Sequence, residues 1–185
     1  MTLFGDGLDE AVQRAFTRPI PKSAGAQMRY LVKQLKGTRP VAQMLRVSQR
    51  TVERYVKDQI KKPRPDLASR LEAEVKKRWQ PQIRAKARQK AATTGGIVID
   101  TRARIGYTAP IGSTDDARLR HLTVALPPQY AARLFDAQEQ GATDQRLQEI
   151  ATEALKEVYF QDSGRRAGQL EEVRFTDIEH LDFDL

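Results

Sequence analysis

Residues 38 to 57, Thr38-Arg-Pro-Val-Ala-Gln-Met-Leu-Arg-Val-Ser-Gln-Arg-Thr-Val-Glu-Arg-Tyr-Val-Lys57, are spaced for two short helices joined by a tight turn. Pro40 suits the first turn of the leading helix, where the N–H it lacks would go unbonded anyway. Val41, Ala42 and Leu45 then form one apolar edge, and Arg46 and Val47 make the turn. Ser48 is a good N-cap for the second helix, because its hydroxyl can accept from the free N–H groups of the first turn. Val52, Tyr55 and Val56 face inward there, while Gln49, Arg50, Glu53, Arg54 and Lys57 face outward. The early outward positions fall where a recognition helix offers side chains to base edges in the major groove, and an Arg there can bond guanine bidentately. The same spacing also serves an ordinary two-helix corner with a solvated basic face. A preceding helix is expected within Gly25 to Leu35, carried by Met28, Leu31, Val32 and Leu35.

Charge is the next constraint. The 185 residues carry a net +8, but unevenly: residues 1–21 hold 2 basic and 3 acidic groups, residues 22–104 hold 22 and 6, and residues 105–185 hold 8 and 15. A basic block of that size beside a helix-turn-helix fits a polyanion, since each neutralised phosphate releases condensed counterions. Lys61, Lys62, Arg64, Arg84, Lys86 and Arg88 therefore join Gln49, Arg50, Arg54 and Lys57 as the expected DNA-contacting set. A polybasic membrane-surface segment is the competing reading, but the block lacks an aromatic or leucine-rich insertion face.

Composition excludes several classes. Cysteine is absent, which removes disulfides and Cys-based zinc sites, and the two histidines, His121 and His180, are isolated in sequence, so no metal site is expected. No stretch is apolar enough to span a membrane, and the N-terminal residues lack a basic region followed by an apolar block; the expected location is the cytoplasm. At 39% hydrophobic and 30% charged residues, the chain can bury one modest core with extensions or two small ones.

Beyond the turn motif, Lys61 to Pro65 reads as a stiff basic connector, because its two prolines exclude a helix. Asp66 is placed to cap the next helix, whose stripe of Leu67, Leu71, Val75 and Trp79 is expected to pack rather than to bind a ligand; base stacking by Trp79 is the lesser reading. Pro81 marks a break. Ile83 to Ala92 has hardly any apolar face and is expected to stay disordered until phosphates order it. Thr93 to Gly96 reads as a hinge. Ile97–Thr101 and Arg104–Thr108 then read as two short strands forming a hairpin, and Pro110 to Asp116 as a loop. The alternation of His121 to Leu126 turns Leu122, Val124 and Leu126 to a core and His121, Thr123 and Ala125 outward. A helix follows from Pro127 and Pro128 with Tyr130, Leu134 and Phe135, ending at Gly141. Another starts at Thr143 or Asp144 with Leu147, Ile150, Leu155, Val158 and Tyr159. This strand-helix-helix order resembles a ribbon-helix-helix unit, in which two chains pair their single strands. The tail, Glu171 to Leu185, alternates acids with Val173, Phe175, Ile178, Leu181 and Phe183; it can dock on a partner, fold back on the basic block, or stay solvated.

Together these segments resemble the terminal proteins of Streptomyces telomeres, the small proteins joined to the 5′ ends of linear chromosomes and plasmids. The similarity runs over nearly the whole chain and is most specific at Lys22–Leu35, Val47–Ile60, Ala92–Gly96 and Phe175–Leu181. It implies a protein that primes DNA synthesis at recessed telomeric 5′ ends by offering a side-chain hydroxyl in place of a 3′-OH. The family's acceptor threonine falls on Thr114, within Gly112-Ser113-Thr114-Asp115-Asp116. Ser113, Asp115 and Asp116 would support it, the two aspartates by positioning Thr114 or approaching a metal. The resemblance implies no cofactor of the protein's own: Mg and the deoxynucleotide come with the polymerase. Implied partners are telomeric DNA, with its 3′ overhang and 5′ end, a telomere-associated protein and a DNA polymerase.

A priming hydroxyl must enter a polymerase site, so an exposed loop suits it. Read without the family, Thr114 or Ser113 would instead N-cap a short helix over Asp115 to Arg120, and Ser113, Thr108, Tyr107 and Tyr130 are rival hydroxyls. The expected fold is mainly α with a small β component: a segment 1–21, a basic helical region 22–92 holding the helix-turn-helix at 39–57, an acceptor-loop and strand-helix-helix region 93–162, and an acidic tail 163–185. A homodimer through the C-terminal half fits the ribbon-helix-helix likeness. The rival function is a dimeric helix-turn-helix transcription regulator with no covalent nucleotide. An enzyme acting alone is disfavoured by the lack of a Cys nucleophile, a phosphate-cradling glycine loop or paired histidines.

Overall fold

In the computed structural model, which describes residues 3–108, 115–161 and 172–185, the chain divides into two units. One is Thr17–Pro81. The other joins Met1–Phe16 to Gln82–Leu185. The α+β class expected from sequence is the one found.

The first unit is four helices: α2 (Ala24–Gln34), α3 (Thr38–Leu45), α4 (Gln49–Val56) and α5 (Pro65–Arg78). They follow the local chemistry closely. Ser23 caps α2 by accepting from Ala26 N at 3.3 Å. Arg46 turns the chain in the left-handed region at φ 52°, and Ser48 caps α4 by accepting from Thr51 N at 3.1 Å. Met28, Leu31, Val41, Leu45, Val52, Leu71 and Val75 form a core with no exposed surface. Gly25 lets the end of α4 come close, since a Cβ there would lie 3.0 Å from the Tyr55 carbonyl oxygen. Two expectations are refined. Asp66 lies in the first turn of α5 rather than at its cap, because Pro65 takes the opening position and Arg64 the N-cap. Trp79 packs, as the stripe implied, edge-on to Tyr30 at 4.7 Å between ring centroids, with its indole N–H donating to the Arg18 carbonyl at 3.1 Å.

The second unit packs α1 (Leu3–Arg14), α7 (Pro128–Glu139) and α8 (Asp144–Leu155) with an antiparallel sheet ordered β2-β1-β3. Its strands are β1 (Ile97–Thr108), β2 (Asp115–Leu126) and β3 (Glu172–Asp184). Ile97, Ile99, Ile105, Leu126 and Phe183 turn inward to meet Phe4, Leu8, Val12, Leu134 and Leu155. Arg102, Arg104, His121, Thr123 and His180 remain exposed. The start of α1 is held from far along the chain: Asp144 Oδ1 accepts from Phe4 N at 2.9 Å and Gly5 N at 3.0 Å.

The second unit departs from the expected elements in several places. The two short strands are one twelve-residue strand, β1, because the hairpin partner is β2, paired from Ile97↔Leu126 to Tyr107↔Asp115 with a bulge near Ile105. Asp115 to Arg120 is therefore strand, and no short helix follows position 114. Of the alternatives open to the tail, folding back is the one found over residues 172–184: Val173, Phe175 and Phe183 insert into the core as β3 pairs along β1, and Glu179 and Asp177 pair with Arg102 and Arg104 at 2.9 and 3.1 Å. Residues 81–90 are helix α6 (Pro81–Lys90), ordered by partners on α1 and α7 described below. The supposed hinge is a π turn, Ala91–Gly95, closed by Gly96 at φ 70°, where a Cβ would sit 2.2 Å from the Leu126 carbonyl oxygen. The ribbon-helix-helix likeness fails in one respect: that unit's strand pairs only with a second copy, whereas β2 already pairs with β1.

Candidate nucleic-acid interface

The unit Thr17–Pro81 holds 17 basic and 5 acidic side chains, a net +12, and the rest of the chain 15 and 19. Charge is thus concentrated on the four-helix unit. Ion pairs there use Arg29 with Asp58 at 2.7 Å, Lys76 with Glu72 at 2.8 Å, and Arg78 with Glu74. Two of those pairs lie along α5, and the third joins Arg29 of α2 to Asp58 just beyond the C-cap of α4.

On α4 the buried Val52 and Tyr55 fix the helix rotation, which leaves Gln49, Arg50 and Arg54 exposed, with Lys57 exposed at its C-cap. Gln49 Nε2 donates to Glu53 Oε1 at 3.0 Å, so the single carboxylate on this face is engaged along the helix. Arg50 and Arg54, one turn apart, are exposed on the same helix. Lys61, Lys62 and Arg64 are exposed on the connector after α4. A groove of about 490 Å³ opens between that connector, α4 and α5, lined by Val47, Thr51, Ile60, Lys62, Arg64 and Arg70 among others, with Asp66 its one carboxylate. Arg70 was not among the expected contacts; it is exposed one residue before the buried Leu71, about 100° around α5 from it, and that position off the apolar stripe is the sequence signal for it.

Arg84 and Arg88 belong elsewhere. Their side chains are only 17% and 15% exposed and lie in the second unit. Arg84 Nη1 reaches Asp9 at 3.4 Å, and Arg88 Nη1 donates to Glu139 at 2.6 Å while its Nη2 donates to Gln138 at 2.9 Å. The guanidiniums also lie over Phe16 and Phe135, at 5.9 and 5.2 Å from the ring centroids. Burial lowers the Arg84 pKa from its ordinary value, opposed by Asp9. These two arginines hold α6 against α1 and α7 and are withdrawn from the DNA-contacting set. Lys86, between them, points to solvent.

Thr114 and Ser113 lie outside the described residues. Asp115 and Asp116 are the first two residues of β2, their side chains likewise outside the described set. Residues 109–114 are thus the connection between two paired strands. Of the rival hydroxyls, Tyr130 is 3% exposed and donates to Glu157, while Tyr107 stacks edge-on to Phe160 at 5.2 Å. Among the described residues no group of three His, Asp or Glu is arranged to hold a metal ion, and no helix is long and apolar enough to cross a membrane. His121 and His180, distant in sequence, both reach Asp100 Oδ1, at 2.9 and 3.6 Å, on the exposed side of the sheet.

No family model, curated protein or solved structure matches the chain.

Proposed function

We propose that this protein is a telomere terminal protein: it binds telomeric DNA through the α3–α4 pair and becomes covalently attached to the 5′ end through Thr114, which primes end-patching synthesis. The observation that carries the DNA half is the exposed row Gln49, Arg50, Arg54 and Lys57 on a Ser48-capped helix in a unit of net +12. The priming half rests on the resemblance of Gly112–Asp116 to the family's acceptor segment, and is supported by that segment's position between two paired strands.

In this reading the Thr114 hydroxyl oxygen attacks the α-phosphorus of a deoxynucleoside triphosphate. A phosphoester P–O bond forms, the bond to the bridging oxygen of the β-phosphate breaks, pyrophosphate leaves, and the hydroxyl proton passes to a base or water in the polymerase site. Charge stabilisation of this displacement would come from magnesium that the polymerase would bring, with no ligand required from this chain. The protein is then a primer and substrate, not a catalyst. Its partners are the telomeric 3′ overhang and 5′ end, a telomere-associated protein and the polymerase, at the ends of linear replicons in the cytoplasm.

Incubation of the purified protein with polymerase, telomere-associated protein, telomeric DNA, magnesium and a radiolabelled deoxynucleotide tests this. Label should enter the wild type and Thr114→Ser but not Thr114→Ala. Undiminished labelling of Thr114→Ala would remove the acceptor assignment. A protein that binds a palindromic duplex and takes up no nucleotide would instead be the regulator that the same helix pair can serve.

A further inference from the structure

We infer that the groove between α4, the connector and α5 seats an unpaired nucleotide of single-stranded DNA, its base against the apolar lining and its phosphates on Lys62, Arg64 and Arg70. This rests on the DNA-binding half of the proposed function and not on the priming half.

Charge in this groove is uncompensated. Of the five carboxylates in the unit Thr17–Pro81, Asp58, Glu72 and Glu74 pair with Arg29, Lys76 and Arg78, and Glu53 accepts from Gln49. Asp66 is left to face three exposed cations, Lys62, Arg64 and Arg70, none of which has an ion pair among the described residues. Cations brought together from the connector and α5 suit successive phosphates of one strand.

Phosphates alone would need only those cations. The rest of the lining is largely apolar, with Val47, Ile60 and the buried Leu67. Tyr55 borders the groove although it is 3% exposed, and its hydroxyl has no hydrogen-bond partner among the described residues. Burial pushes this phenol up, opposed by the charges of Arg54 and Arg64, so both guanidiniums act on the ring. A duplex shows only the edges of its stacked bases and would leave such a lining empty. An unpaired base has free faces, and cationic grooves with aromatic and apolar surfaces are how single strands are held. The Tyr55 hydroxyl and the Asp66 carboxylate supply a donor and an acceptor for that base's edge. A volume of about 490 Å³ is ample for one base. Thr51 and Tyr55 each follow Arg50 and Arg54 by one residue on α4, so the groove adjoins the outward row. A strand leaving a duplex bound there can enter it.

Fluorescence anisotropy of the full chain with three probes of about twelve nucleotides tests this: a single strand, the same strand with abasic residues at its centre, and the corresponding duplex. The abasic strand keeps every phosphate, yet it should bind the wild type about five-fold or more weakly than the intact strand, with an equal salt slope. Arg70→Ala should weaken the single strand by about five-fold or more and the duplex by less than about two-fold. Arg50→Ala should weaken the duplex more than the single strand. Both positions are exposed, and an unchanged circular dichroism spectrum verifies that the variants fold. An abasic strand bound as tightly as the intact one would overturn the seated base. An Arg70→Ala loss equal on single strand and duplex would overturn the groove as a separate site. Duplex binding without single-strand binding would overturn this inference and leave the α3–α4 reading standing, whereas no binding to any probe would remove both. A glutamate-leucine peptide that displaces the strand at lower concentration than its unlabelled copy would give the groove to an acidic protein segment instead.

Discussion

The Tyr130 hydroxyl on α7 donates to the Glu157 carboxylate in the turn that follows α8. Burial first, and then the hydrogen bond and charge of Glu157, push the phenol well above its ordinary pKa. A hydroxyl so held is both inaccessible and hard to deprotonate, the reverse of what a priming nucleophile needs. Tyr130→Phe is therefore expected to leave nucleotide attachment intact while costing about 1 kcal/mol of stability for the lost hydrogen bond and the carboxylate left without it. Labelling and urea denaturation of the same variant separate the two effects.

Arginines on the two units should respond differently to truncation. Arg50→Ala should relax sequence preference at one base position, by about 1 to 3 kcal/mol if the contact is bidentate. Lys86→Ala should weaken all sequences alike and lower the salt slope by about one. Arg88→Ala should do neither. It leaves Glu139 without its donor and should cost about 2 kcal/mol of stability, with affinity unchanged at temperatures where the variant stays folded. Binding titrations at several salt concentrations, alongside denaturation curves, distinguish all three outcomes.

Asp100 gives the fold an acid-sensitive element. Hydrogen bonds from His121 and Thr123, at 2.9 and 2.8 Å, hold its carboxyl below the usual value. Because the folded state binds that proton less readily than the unfolded chain, the contribution is full above about pH 4 and is lost as pH falls through the depressed folded pKa. The side chain is 35% exposed, so screening keeps the effect below about 1 kcal/mol. Asp100→Asn should be less stable than wild type at pH 7, and the difference should shrink below pH 4 in chemical denaturation.

Glycines at similar backbone angles should tolerate alanine unequally. Gly96 has φ 70° and its missing Cβ would strike the Leu126 carbonyl oxygen at 2.2 Å; Gly141 has φ 75° but nothing within 4 Å. Gly141→Ala should cost about 1 kcal/mol, the left-handed penalty alone. Gly96→Ala should cost more, about 3 kcal/mol or beyond, since the strand pair must also shift. Thermal melts of the two variants provide the comparison.

What the sequence made legible was local. Ser48 as the cap of a helix, Pro40 in a first turn, and a helix start at Thr143 or Asp144 are readings spanning one helical turn, and each is met in the structure, the last with Thr143 as N-cap. The strand Leu122–Leu126 was readable because its alternation is carried by its own residues. What escaped depended on partners far away in sequence. The tail's alternation was visible, but its pairing with β1 joins residues about 80 positions apart. Arg84 and Arg88 looked like free cations because Asp9 and Glu139, which hold them, lie 75 and 51 residues away. The convergence of His121 and His180 on Asp100 follows from the same strand order and has no sequence signal of its own.

The central claim is covalent attachment through Thr114, and mass spectrometry of the protein recovered from cells replicating linear DNA, after exhaustive nuclease digestion, tests it most directly. The account predicts one nucleotide adduct, on the peptide containing Thr114 and localised to that residue. Complete coverage of the Ser, Thr and Tyr residues with no adduct would contradict it.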